Sequence, residues 1–475
     1  MNKDLKYSIL IFVFYFSILL LLPVTTSGYL KNMIFSNSEI LLFDDASANN
    51  FNLLLHIIQN HTIGFDQNFV IRNRTVQENF DFFHGVGGKY FLINDPFYLI
   101  FFIPQSYFFA NNAIAVFKIV TVSNFIIASL ALVVFYLLLR KLDLKREIAV
   151  FGSFSFGMAT GLLIFTRYFT YTVTSIFLLV LSLFLFFNFW KHKNLKNLFL
   201  LSVSLSLLSL MRFPSLFGIV SIPVFLVILS PLLLLVNLKK ISKSDLLVFI
   251  VPLIFIFLVP EMLWFNMFTG GYFINPHTYV QQRQAVSIFK IFPTYVNAED
   301  FDIYGYYNQS SAYKLERQYA LIYSFANNTT NGIFLHSYGL FASFFSSRGI
   351  IFNSPFLFAS FVGMIYYFKE NTKIARSFLL ILFLMAIGLA WLVPIWHGGY
   401  GPRYARTLLP AVPVLIFFSF YALQQNKNRF FFLIFFLLFL VSALNIISLS
   451  IRTDWNLERT IDAVSYDLVL WPLNF

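Results

Sequence analysis

The run Ile9–Pro23, ILIFVFYFSILLLLP, decides how the rest of the chain is read. It holds no charge and follows a start that carries Lys3 and Lys6. A bilayer core takes about 20 apolar residues of helix. A helix is also the one single segment that satisfies its own backbone in hydrocarbon. Working outward, similar runs recur between charge clusters. One ends at Arg140, one covers 148–165, one ends at Trp190, and others cover 198–211, 216–238 and 246–265. After a gap, another ends at Phe368, followed by 378–396, 408–423 and 430–451. The pattern predicts an all-α, polytopic transmembrane bundle of about 11 spans, one integral membrane domain over residues 1–475. Two long stretches of mixed polarity interrupt it, 25–112 and 266–347.

Composition agrees. Of 475 residues, 59% are hydrophobic and 11% charged, and mean hydropathy is +0.75. Soluble proteins carry about 25% charged residues, so a disordered chain, a soluble nucleic-acid binder and an ordinary cytosolic enzyme are excluded. The absence of cysteine excludes disulfides, thiolate zinc sites and iron–sulfur clusters.

The net charge of +12 has a topological cause. The N-terminus and the connections 140–147, 191–197, 239–245, 369–376 and 425–429 hold 17 of the 33 Lys/Arg and 5 of the 21 Asp/Glu. Everything else is neutral in sum. Short connections on one side thus carry the whole positive excess, which is the positive-inside pattern. It predicts a cytoplasmic N-terminus, with 25–112 and 266–347 outside, and it removes the argument for a nucleic-acid partner. Met1–Pro23 also resembles a signal peptide, but no good small-x-small cleavage site follows, so a retained first span is the better reading. The sequons headed by Asn60, Asn73, Asn308, Asn327 and Asn328 all fall in the two outer loops.

The spans contain almost no acidic residues, Glu261 at the outer end of the seventh being the near-exception. A transporter keeps polar groups at mid-membrane, so this distribution favours a site at the outer face. The first outer loop opens with Phe43-Asp44-Asp45-Ala46. Two carboxylates just outside a bilayer suit a general base. They equally suit capping of a helix over 49–60, whose apolar face is Phe51, Leu54, Leu55 and Ile58 and which reads as lying on the membrane. Asp95 is either a second acidic group or a cap before Pro96. Phe97 to Pro104 is apolar but too short to span, hence interfacial or re-entrant. Arg167, Arg212, Arg348, Arg403 and Arg406 recur at outer span ends, where arginine either grips phosphate bidentately or snorkels to headgroups. Arg403 stands out in WHGGYGPRY (Trp396–Tyr404), where three glycines let backbone approach a ligand and His397 and Tyr404 flank the turn. No histidine pair has zinc-site spacing.

These residues together resemble the GT-C superfamily of membrane glycosyltransferases. The likeness is strongest to the polyprenyl-phosphate-sugar-dependent group of protein O-mannosyltransferases and the lipid A aminoarabinose transferase. It rests on Asp45 with Phe51 six residues on, and on Asn94-Asp95-Pro96-Phe97 with Pro104. It rests further on Trp264–Tyr272 (WFNMFTGGY), on Ser347-Arg348-Gly349-Ile350-Ile351 with Pro355, and on the Trp396–Tyr404 stretch. The resemblance implies an inverting sugar transfer from a polyprenyl-phosphate-linked donor to an acceptor hydroxyl of a glycan, lipid or protein at the extracytoplasmic face. It implies Asp45 as the base, with Asp44 as accessory or alternative. It implies Arg403 at the donor phosphate, supported by Arg348 and His397, with Tyr404 and Asp95 nearby in the substrate site. No cofactor is implied, although Asp44, Asp45 and Asp95 would bind a divalent metal if they converge. Asp-Asp here replaces the Asp-Glu pair of some relatives. The competing readings are a lipid-linked glycan flippase or accessory subunit without activity, and a ligase or polymerase that uses lipid diphosphates.

Overall fold

The computed structural model describes residues 3–22, 45–64, 82–84, 90–92, 96–166, 169, 171–192, 194–212, 243–270, 344–345, 349–370, 409 and 411–451. Among these, five helices are long and apolar enough to cross a membrane: Lys3–Leu21, Ala115–Lys141, Thr172–Phe189, Asp245–Met267 and Arg429–Ser448. Shorter apolar helices cover Leu195–Leu210, Pro355–Lys369 and Val412–Gln425. The chain is a multi-pass helical membrane protein. The spans expected at 216–238 and 378–396, and most of both long loops, lie outside the described residues.

Helix α1 (Lys3–Leu21) buries Ile11, Tyr15 and Leu19 and turns Leu5, Ile9, Val13 and Phe14 outward. An apolar strip of that size suits lipid and not water. The Tyr15 hydroxyl donates to the carbonyl of Gly157 at 3.2 Å, which fixes α1 against the bundle. The first long loop supplies α2 (Asp45–Asn60), a hairpin of β1 (Phe82–His84) and β2 (Tyr90–Leu92), a 3-10 turn (Pro96–Phe101) and α3 (Ile103–Tyr107). The hairpin is antiparallel, with Phe83 opposite Phe91, and is the small exception to an all-α fold.

Helix α4 (Ala113–Lys141) is capped by Asn112, whose side chain accepts from the Ala115 amide at 3.0 Å. It packs on α1 and on α7 (Thr172–His192), and α7 packs on α8 (Leu195–Arg212). Between them the chain makes α5 (Arg146–Met158) and α6 (Gly161–Phe165). The single span expected over 148–165 is therefore two helices. Thr160 ends one and caps the other, with its hydroxyl donating to the Phe156 carbonyl at 2.6 Å.

The seventh expected span is α9 (Lys243–Pro252), a π turn (Leu253–Leu258) and α10 (Val259–Thr269). Pro260 has no amide to give its preceding turn and its ring crowds the carbonyl four residues back. The wider π turn accommodates this, and the Val259 amide reaches back five residues to Ile254. The last described part is α11 (Ile350–Asn353), a 3-10 turn (Pro355–Phe358), α12 (Ala359–Glu370), α13 (Val412–Gln425) and α14 (Arg429–Ile451). Helix α13 is buried over nearly its whole length, whereas α14 exposes Phe432, Leu433, Leu437 and Leu444.

One end of the bundle gathers the basic connections. Asp4 lies 3.5 Å from Arg140 and 3.1 Å from Arg146, and accepts from the Tyr136 hydroxyl at 2.8 Å. Lys191 lies 3.4 Å from Asp143, and the Lys145 amide donates to Gln424 at 2.6 Å. The N-terminus, 140–147, the end of α7 and the end of α13 are thus on one side, as the charge alternation requires. Helices α4 and α5 run from there to the opposite end, where the first-loop elements sit.

Candidate active-site end

Helix α2 organises this opposite end. It begins at Asp45, four residues earlier than the sequence pattern suggests. The apolar face of α2 packs on protein and not on lipid, which corrects the expectation of a helix lying on the membrane. Phe51, Leu54 and Ile58 are buried in the main core. Phe51 meets Phe117 of α4 edge-on at 6.0 Å and Phe169 at 6.5 Å.

Polar contacts fix the same helix. The Asn50 amide donates to the Phe169 carbonyl at 3.1 Å, while its side-chain oxygen is buried with no hydrogen-bond partner. The Gln59 amide donates to the Ala110 carbonyl at 2.7 Å. His56 is buried between Gly64 and Asn60, at 3.0 Å from each partner atom, which makes it a structural histidine. Neither Asn50 nor Phe169 is marked by any motif in the sequence.

Phe169 is the hub. Its ring meets Phe102 at 5.0 Å and Tyr98 at 5.7 Å, both from the short Pro-bracketed segment. That segment turns Tyr98, Leu99 and Phe102 into the core and leaves Ile100 exposed, as are Tyr107 and Phe108 just beyond it. Asn124 of α4 donates to the Thr166 carbonyl at 2.9 Å, three residues before Phe169.

On the neighbouring face, Trp264 of α10 is clamped by Phe91 of β2 at 5.6 Å and by Phe97 at 6.5 Å. The motif that contains Trp264 ends in a plain helix stop. Gly270 has φ 78 and its amide returns to the Asn266 carbonyl at 2.9 Å. Any side chain at that φ is strained, which accounts for the first glycine.

The turn after Arg348 is equally fixed. A Cβ on Gly349 would collide with the Phe344 backbone. The Asn353 side chain donates to the Gly349 carbonyl at 3.0 Å and accepts from Asn445 of α14 at 3.0 Å. The Ser354 hydroxyl donates to the Ala159 carbonyl at 2.6 Å, at the break between α5 and α6. The turn is thereby tied to the helix break that leads to Thr166 and Phe169.

Of the residues singled out by sequence, Asp45 is placed by its backbone at the start of α2. Asp44, Asp95, Arg348, His397, Arg403 and Tyr404 lie outside the described residues. Among the described residues no group of three His, Asp or Glu side chains is placed to hold a metal ion.

Comparison by sequence, with family profiles and with individual proteins, finds no match. Comparison of structures does. The chain is similar to the archaeal oligosaccharyltransferase AglB from Archaeoglobus fulgidus in complex with an inhibitory peptide and a dolichol-phosphate, with TM-score 0.56 and 16% identity, covering 95% of this chain and 56% of that one. The apo form gives TM-score 0.56 and 14% identity, again covering 95% and 56%. The form tethered to an acceptor peptide containing the NVT sequon gives 0.56 and 16%, with the same coverage. The chain therefore shares its fold with the membrane part of that oligosaccharyltransferase over 95% of its own length. It spans just over half the length of the solved structures that it matches, and the likeness is one of fold.

Proposed function

We propose that the chain is a membrane glycosyltransferase that moves a sugar from a polyprenyl-phosphate-linked donor to an acceptor hydroxyl on a glycan, lipid or protein. The observation that carries this reading is the docking of the Asp45 helix. Through Asn50 and Phe51 it is held on the same end of a GT-C fold as the turn that follows Arg348. With the basic end in the cytoplasm, this end lies outside, in the reading that the positive-inside pattern supports.

In the proposed reaction the acceptor hydroxyl attacks the anomeric carbon from the face opposite the phosphate. Its proton passes to the carboxylate of Asp45, with Asp44 as the alternative acceptor. A new C–O bond forms as the anomeric carbon–phosphate oxygen bond breaks, so the configuration inverts. The polyprenyl phosphate leaves with the electron pair, and Arg403, Arg348 and His397 stabilise its charge. Asp95 and Tyr404 contact the substrates.

The test is transfer of radiolabelled sugar by the protein in lipid nanodiscs, from a panel of polyprenyl-phospho-sugars to a membrane extract. Transfer by wild type that is lost in folded Asp45→Asn supports the reading. Equal transfer by both moves the base to Asp44 or Asp95. No transfer from any donor, with a competent acceptor present, favours a flippase or accessory subunit, and transfer only from lipid diphosphates favours a ligase or polymerase.

A further inference from the structure

Glu261 has no place in the mechanism above. It stands in the first turn of α10, where only 8% of it is exposed, and its Oε2 is buried with no hydrogen-bond partner among the described residues. Around it the apolar side chains of Leu258, Val259, Leu263 and Met267 are exposed. A carboxylate in such a setting carries a desolvation cost that packing alone does not repay. Ionisable groups in membrane helices mark substrate sites for that reason.

Its position agrees. Glu261 is three residues before Trp264, so the two side chains share one face of the helix. That face is not turned to lipid: Trp264 is 2% exposed and packed against Phe91 and Phe97 of the first outer loop. Phe97 adjoins Tyr98, which meets Phe169, and the Phe169 carbonyl receives the Asn50 amide of the Asp45 helix. Contacts therefore run without a gap from the helix that starts at Asp45 to the face that carries Glu261.

We propose that Glu261 is a substrate-binding residue that holds hydroxyl groups of the lipid-linked sugar, an assignment that rests on the glycosyltransferase reading. A carboxyl group in either protonation state offers hydrogen bonds to sugar hydroxyls. As a carboxylate it has no donor and repels a lipid phosphate, so in that state its contribution is to the sugar alone.

The experiment compares binding of polyprenyl-phospho-mannose, -glucose and -arabinose with binding of bare polyprenyl phosphate, to the full chain in nanodiscs. Wild type is expected to favour at least one sugar-bearing lipid by roughly tenfold or more, the range of a hydrogen-bonded charged group. Glu261→Leu should lose that preference while binding bare polyprenyl phosphate unchanged, and should melt at or above the wild-type temperature because a buried carboxyl is gone. Glu261→Gln should keep part of the preference. Three results would overturn the assignment: a preference unchanged in Glu261→Leu, no preference in wild type, or unfolding of both variants, which would make the carboxyl structural. If wild type prefers the sugar-bearing lipid but transfers nothing, the binding assignment stands and the transferase reading fails.

Discussion

Phe51→Ala is the sharpest test of how the Asp45 helix is held. Phe51 is 1% exposed and meets two rings edge-on, Phe117 and Phe169. Truncating a buried Phe costs about 3–5 kcal/mol, and each aromatic pair accounts for about 0.5–1.5 kcal/mol. A short helix has little stability of its own, so the loss falls on the docking of α2 rather than on the bundle. A docking loss of about 3 kcal/mol raises the undocked population roughly a hundredfold, at about 1.4 kcal/mol per factor of ten. Hydrogen exchange in nanodiscs reads this directly. Amides of residues 51–60 should exchange about a hundredfold faster, while those of α4 and α7 keep their protection. Phe51→Leu should recover most of the protection, because most of the buried area remains. Unchanged exchange in α2 after Phe51→Ala would refute the argument that its apolar face is bound to protein. A uniform rise across α4 and α7 would instead show that α2 is part of one cooperative unit.

Three further outcomes follow from the packing and the proposed chemistry. Asp4→Ala removes contacts to Arg140, Arg146 and Tyr136; with these side chains about a third exposed or less, the loss should be about 1 kcal/mol, seen as a lower thermal midpoint that Arg146→Ala does not deepen additively. Gly363→Ala should destabilise although alanine is the better helix former by about 1 kcal/mol, because a Cβ there collides with the Phe418 backbone between α12 and α13; a raised midpoint would refute that close approach. Sugar transfer should survive EDTA, since a lipid monophosphate donor needs no bridging cation in the proposed scheme; loss restored by added Mn2+ would place a metal at the carboxylates.

Apolar run length made the long spans legible. Lys3–Leu21, the helix that ends at Lys141 and the final helix were visible as long apolar runs bounded by basic residues on one side. The break at Ala159–Thr160 was not, because no proline or charge marks it. A carbonyl freed from the helix there is taken by Ser354, nearly two hundred residues away. The amphipathic stripe of α2 was also visible, but not what it faces. Lipid and protein interior are both apolar, so periodicity cannot tell them apart. Asn50 was hidden among Asn49 and Asn52, since nothing local says which of three asparagines meets a distant carbonyl. Glu261 was legible as a lone acid in a hydrophobic run, and its burial was not.

The π turn at Leu253–Leu258 sets the azimuth of everything after it. One extra residue in a helical turn rotates the following segment by about 100° relative to an uninterrupted helix. Without that offset, Trp264 would swing off the hairpin, and Glu261 with it out of its buried position, towards the face that now carries Leu263 and Met267. A single-residue deletion within 253–258 is thus a steering change: it leaves hydrophobic length almost untouched while exchanging the lipid side of α10 for its protein side.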